Sequence, residues 1–231
     1  MLFRSACDLH TRSNGAFDIT VAPVLQRLGR LPGMPREFSG REPSGRMSST
    51  TRCSIQLRPG NRVRFDGPEI VIDLGGIAKG YAVDRALNHL RREGVASAQV
   101  NAGGDLATFG DAAAPVDIRD PRNPMCTLAS IALQNGAVAS SGCTYDPVET
   151  GQLSDCAVID PACGSPVQTY AGASVCAETC MTADALTKVV MLSGRLSGEI
   201  LEHYRASALL VAADGDICVT SNWPGVVLRA I

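Results

Sequence analysis

One stretch constrains this chain more than any other: Asp73-Leu-Gly-Gly-Ile-Ala-Lys-Gly-Tyr-Ala-Val-Asp84. An apolar run, Ile70-Val71-Ile72, enters it as a strand, and Val83, Ala86, Leu87 and Leu90 leave it at the spacing of one helix face. Between the two, Gly75 and Gly76 let the backbone turn tightly. A glycine-rich turn from strand to helix lets main-chain N–H groups converge on a phosphate. Asp73 and Lys79 add an acid and a base at the same corner, a combination suited to a phosphate-bearing ligand with a metal ion. The plainer alternative is a tight turn in which Asp73 is hydrogen-bonded to nearby amides.

The chain has 231 residues, enough for one large domain or two small ones, and 45% of them are apolar, an ordinary supply for a core. A net charge of -2 gives no support for a nucleic-acid partner, which would select a basic face. No apolar run is long enough to span a bilayer, and Met1–Cys7 passes into polar residues without the apolar core of a signal peptide. None of the nine cysteines forms a CxxC pair; Cys176 and Cys180 stand four apart with no second pair or histidine at zinc-like spacing. They read as small buried hydrophobes, with a disulfide or two left open. Three histidines, His10, His89 and His203, are a poor supply for a His-based metal site or a Ser-His-Asp triad.

Periodicity predicts helices over Val21–Leu28, 77–92, 181–193 and 196–204. Strands are predicted at 53–58, 61–64, 68–72, 96–101, 104–108, 114–118, 128–133, 136–140, 155–160, 173–177, 207–212 and 216–220. Residues 31–52, rich in Pro, Gly, Ser and Arg, read as a mobile insertion. Runs of strands punctuated by a few helices predict a single α+β domain over 1–231, with mixed or antiparallel sheets, and exclude regular βαβ alternation.

Three further polar clusters accompany the first. Asp18 and Thr20 precede an apolar stripe, where an N-cap belongs. Asn101-Ala-Gly-Gly-Asp105 is a hairpin corner or a second amide-lined edge of the same pocket. Asp184 and Thr187 are spaced i, i+3 on an apolar helix, so a carboxylate and a hydroxyl share one face and offer hard oxygens of the kind Mg²⁺ takes. The plainer reading of Asp184 is an acid near a helix N-terminus.

Taken together these pieces resemble the FAD:protein FMN transferase family, the ApbE-like flavin transferases. The matching strings are Gly15-Ala-Phe-Asp-Ile-Thr20, the Asp73–Asp84 motif, Asn101–Asp105, Ala139-Ser-Ser-Gly142, Ile159-Asp-Pro-Ala-Cys-Gly164 with Pro166, and Ala183-Asp-Ala-Leu-Thr-Lys188. The resemblance implies a Mg²⁺-dependent reaction in which FAD is split at its pyrophosphate. FMN passes to a threonine hydroxyl of an acceptor protein, a subunit of a membrane redox complex, and AMP leaves. It implies that Ala16, Phe17, Asp18, Asp73 and Lys79 contact FAD and that Val158 flanks the flavin nucleotide. It places Mg²⁺ on the Gly76 carbonyl, Asp184 and a helix hydroxyl, here Thr187. It also implies a periplasmic or membrane-anchored protein; with no signal peptide visible, the other address is the cytoplasm.

The chain departs from the family pattern at three places. A histidine usual three residues before the Asp-Pro pair is here Ala157, so no catalytic base is assigned. The hydroxyl usual four residues after the metal aspartate is here Lys188, with Thr187 one position early. The segment that precedes the Gly-Ala-Phe-Asp motif in the family is almost absent, which predicts an N-terminally shortened domain. These departures keep two other readings open: a relative that binds or hydrolyses FAD without transferring it, and a shortened domain that serves only in interaction.

Overall fold

The computed structural model describes residues 2–32, 55–67, 70–143, 156–194 and 198–228. In chain order the elements are α1 (Leu2–Arg12), a 3-10 turn (Ile19–Val21), α2 (Ala22–Arg27), β1 (Ile55–Arg58), β2 (Arg62–Phe65), α3 (Ala78–Arg92), β3 (Ala98–Ala102), β4 (Asp105–Phe109), β5 (Ala114–Asp120), β6 (Asn123–Leu133), β7 (Ala137–Gly142), β8 (Ile159–Asp160), β9 (Ser165–Pro166), β10 (Tyr170–Ala177), α4 (Cys180–Ser193), α5 (Gly198–His203), β11 (Ser207–Ala212), β12 (Ile217–Val219) and β13 (Gly225–Val227). This is the α+β architecture expected from the strand-rich pattern.

A six-stranded antiparallel sheet, ordered β12-β11-β10-β7-β4-β3, forms the middle layer. Alternate side chains face opposite ways along each strand. Ala208 and Leu210 of β11 and Ala173 and Val175 of β10 meet α1 and α4. Leu209, Val211 and Cys176 meet Ile118, Leu128 and Ile131 of the three-stranded sheet β13-β6-β5 on the other face. Because both faces are covered, the central strands show no polar alternation: all five residues of β4 and the first five of β11 are buried. That is why Ser207-Ala-Leu-Leu-Val-Ala212 reads as an almost continuous apolar run.

Helices α3 and α4 cap each other. Asp84 of α3 accepts from the N–H groups of Cys180 and Met181 at 2.8 and 2.9 Å, the first residues of α4. Asp184 of α4 accepts from the N–H of Gly80, in the first turn of α3, at 3.1 Å. Both satisfy donors that a helix start leaves without an intrahelical partner. Burial raises Asp84 above the usual carboxylate range, against the lowering effect of its two N–H partners. The approach is close enough to dictate sequence. A Cβ on Gly80 would stand 2.2 Å from the Cys180 carbonyl oxygen, so glycine is required there by contact with backbone.

Several expectations are corrected. Ile70-Val-Ile72 is not a strand; 70–74 carries no regular structure and is tied to the rest by Asp73 N–H donating to the Ile19 carbonyl at 2.8 Å. Gly75 and Gly76 do not adopt positive φ. Gly75 is instead crowded by its own turn, since a Cβ there would lie 3.0 Å from Asp73 Oδ2, whereas one on Gly76 would meet Phe17 Cε2 at 3.4 Å and Lys188 Cε at 3.5 Å, ordinary contact distances. The strand expected at 155–160 shortens to Ile159–Asp160, and its first residue lies outside the described residues. The insertion expected at 31–52 lies outside the described residues but for its first two positions. The cysteines are not uniformly buried: Cys126 and Cys163 are exposed, and Cys143 and Cys156 form a disulfide between the end of β7 and the segment entering β8. Among the described residues no helix is long and apolar enough to cross a membrane.

Candidate active site

A cavity of about 950 Å³ opens between the sheets and the glycine-rich turns, at the upper end of the range for small-molecule sites. Part of its wall is apolar, built by Leu106, Val116, Ile118, Leu128, Leu209 and Val211. The rest is polar and glycine-rich: Ala16–Asp18, Asp73, Gly75, Gly76, Lys79, Asn101, Gly103, Gly104, Ser140, Ser141 and Lys188. Three of the four sequence clusters therefore contribute lining residues to one cavity, and beside the fourth Lys188 reaches it. Ala16, Phe17, Asp18, Asp73, Gly76, Lys79 and Val158 line it; Asp184 and Thr187, both fully buried, do not.

Each polar element is fixed locally. Asp18 is the N-cap of the 3-10 turn, accepting from Thr20 N–H at 2.8 Å and from the Thr20 hydroxyl at 2.7 Å. Asp73 accepts from Gly75 N–H at 3.0 Å, the local turn that the plainer reading anticipated. Gly103 and Gly104, with φ of 63° and 98°, make the two-residue hairpin joining β3 to β4, and Asn101 Oδ1 accepts from Gly104 N–H at 2.9 Å. Positive φ at both central residues is the geometry glycine supplies without a steric penalty. Ile77 supplies no side-chain cap to α3, and Asp184 takes the Gly80 N–H; the start of the helix stands at the corner where Gly75, Gly76 and Lys79 line the cavity.

Four charged groups lie at this corner. Lys79, half-exposed, places Nζ 3.1 Å from Asp105 Oδ2, while the Asp105 side chain is 1% exposed. The approach is an ion pair off the hydrogen-bonding direction, and both Asp105 carboxylate oxygens lack a hydrogen-bond partner among the described residues. Burial first, and the neighbouring charge of Asp184 second, raise Asp105 to about 6, against the pull of Lys79 and Lys188. The Asn101–Asp105 spacing predicts a hairpin corner or pocket edge at Asp105; its burial at the start of β4 is decided by tertiary packing.

A pH dependence follows. An unfolded aspartate titrates near 3.9, so between about pH 4 and 6 the folded state holds a proton that the unfolded state has lost. Stability contributed by Asp105 therefore falls as pH rises through that window, and the cost is fully present above it. Asp105→Asn is expected to stabilise the protein at pH 7 by on the order of 2 kcal/mol, with the gain vanishing near pH 4. Thermal denaturation of both forms across pH 4–8 measures this; equal gains at the two ends would refute it.

The donor set expected for Mg²⁺ is already engaged. Asp184 Oδ2 accepts from Gly80 N–H, and Asp184 Oδ1 is bonded to Lys188 Nζ. The Thr187 hydroxyl donates to the Asp184 carbonyl at 2.7 Å and lies 2.7 Å from the Ser141 hydroxyl. Among the described residues no three His, Cys, Asp or Glu side chains are placed to hold a metal. A dication set about 4 Å from the Lys188 ammonium would be repelled by roughly 8 kcal/mol at an effective dielectric near 20, twice the unit-charge value. Gly76, Asp184 and Thr187 as arranged here do not fit Mg²⁺. Among the described residues no histidine lines the cavity; the position where the family pattern has one, Ala157, is an exposed part of its wall.

The layered sheets, the mutually capped helices and the cavity at the glycine-rich turns define an α+β protein. The chain belongs to the ApbE family, whose sequence profile matches residues 1–210. It is 27% identical over 222 residues to the FAD:protein FMN transferase of Vibrio cholerae, covering 92% of this chain and 66% of that protein. To the FAD:protein FMN transferase of Escherichia coli K12 it is 26% identical over 219 residues, covering 89% of this chain and 62% of the relative. The chain thus spans just under two thirds of the length of these curated relatives. The crystal structure of the ApbE protein of Thermotoga maritima superposes with a TM-score of 0.76 at 29% identity, over 95% of this chain and 74% of the other.

Proposed function

We propose that this chain binds FAD in the cavity and transfers its FMN half to a threonine hydroxyl of an acceptor protein, a subunit of a membrane redox complex. The observation that carries the reading is the convergence of Phe17, Asp73, Gly76, Lys79 and Val158 on one cavity with an apolar wall at one part and the start of α3 beside Lys79 at another. A planar aromatic ring suits the first, and a pyrophosphate suits the second. Relatives named for this reaction support the assignment.

In this reaction the acceptor oxygen attacks the phosphorus of the FMN half, the pyrophosphate P–O bond breaks, and AMP leaves with the electron pair. The hydroxyl proton passes to solvent. Phosphoryl transfer of this kind depends mainly on positioning and on neutralising charge at the phosphates. The chain supplies both through the α3 N-terminus and Lys79. No histidine among the described residues stands in the cavity to serve as a general base.

The test is incubation with FAD and a threonine-bearing acceptor, following AMP by chromatography and flavin on the acceptor by in-gel fluorescence. Labelled acceptor with stoichiometric AMP is the expected result. AMP and free FMN without labelling would favour the hydrolytic alternative, which the missing histidine at Ala157 makes the natural rival. Lys79→Ala is expected to weaken FAD binding roughly tenfold, the scale of one lost hydrogen bond to a charged group. Flavin fluorescence titration measures it, and an unchanged affinity would remove Lys79 from the phosphate site.

A further inference from the structure

Lys188 is held in a way that an ordinary surface lysine is not. Its Nζ donates to the main-chain carbonyl of Asp184 at 2.9 Å and also to that residue's Oδ1, so one residue supplies two oxygens to one cation. The stem passes beside Gly76, where an added Cβ would stand 3.5 Å from Lys188 Cε. The Lys188 side chain is 19% exposed and lines the cavity, whereas Asp184 is 1% exposed and does not. The lysine therefore screens the carboxylate from the cavity. An ammonium has three N–H donors; among the described residues two are used, and one remains.

A small divalent cation would ask for the same things: hard oxygens from Asp184, a place beside Gly76, and an open side toward the ligand. We infer that Lys188 is the resident cation of this pocket, its ammonium occupying the Asp184 oxygens that a divalent ion would need and meeting the FAD pyrophosphate in place of a metal. This rests on the FAD reading proposed above. A tethered ammonium cannot be removed by a chelator, and it leaves no vacancy for an added dication to fill. FAD affinity of this chain is therefore indifferent to Mg²⁺.

Two measurements on the full chain separate this inference from the reading beneath it. The first needs no flavin: Mn²⁺ binding to nucleotide-free protein, followed by electron paramagnetic resonance. The wild type is expected to take up no Mn²⁺ at this corner. Lys188→Thr, which puts a hydroxyl four residues after Asp184, is expected to bind one equivalent, lost again in Lys188→Thr/Asp184→Asn. Stoichiometric Mn²⁺ on the wild type that Asp184→Asn abolishes would overturn the inference, and so would a folded Lys188→Thr protein that binds none.

The second is flavin fluorescence titration in EDTA and in excess Mg²⁺. The wild-type Kd is expected to change less than about twofold, while Lys188→Thr weakens about tenfold or more in EDTA and recovers with Mg²⁺. A wild-type affinity that collapses in EDTA would overturn the inference even if the variant misfolds. Absence of FAD binding under every condition would sink the proposed function instead, and the Mn²⁺ measurement would still decide the role of Lys188.

Discussion

Gly80→Ala is expected to destabilise the protein by about 2–3 kcal/mol and to lower Tm by roughly 5–10 °C. Two effects oppose each other. Alanine in a helix is favoured over glycine by about 1 kcal/mol. Against this, the new methyl would stand 2.2 Å from the Cys180 carbonyl oxygen and 2.7 Å from the Met181 nitrogen. Both are backbone atoms at the start of α4, pinned by Asp84, and neither can rotate away. Overpacking therefore outweighs propensity. Calorimetry measures the outcome; a neutral or stabilised variant would mean that the helices separate at little cost. The separation should also weaken FAD binding, because Gly80 N–H and Asp184 are partners across that contact.

Asp184→Ala is expected to cost about 3 kcal/mol, the low end for breaking a buried ion pair. The low end applies because Lys188, 19% exposed, can turn its ammonium toward the cavity, whereas Gly80 N–H is left without its acceptor. The substitution has a second signature. The Asp184 charge is the next cause after burial in raising Asp105 to about 6, so the titration of Asp105 should move down when Asp184 is removed. Chemical denaturation at several pH values reads both effects. A stability loss with no change in the pH profile would show that the two carboxylates are not coupled.

Much of this site was legible because its residues are adjacent in sequence. The Gly103–Gly104 hairpin, the Asp18 cap and the helix over 77–92 follow from local rules about positive φ, capping and periodicity, and the structure carries all three. What local rules missed is what tertiary packing decides. Ile70-Val-Ile72 has strand composition but pairs with no strand among the described residues, so it carries no regular structure. The glycines at 75 and 76 read as turn residues, yet neither has positive φ; the Asp73 side chain crowds Gly75, and inside the predicted helix it is the Cys180 backbone that requires Gly80. The helix α1 was missed although Leu2, Phe3, Ala6, Cys7 and Leu9 lie at helical spacing against the core. Polar residues interrupt that stripe, among them Asp8, which pairs with Arg12 and accepts from Tyr204. Engagement of Asp184 by both Gly80 and Lys188 could not be read from spacing, because the Gly80 contact spans more than a hundred residues of chain.

The mutual capping of α3 and α4 changes how such sequences should be read. An aspartate at position 184 has work to do whether or not any ion is present, since it closes the start of another helix. Its presence is therefore a poor indicator of a metal in a related chain. The more telling letter is the one four positions later: a hydroxyl leaves the carboxylate open to an ion, whereas an amine brings its own charge. A lineage could exchange one kind of cation for the other at that single position without disturbing the joint that holds the two helices together.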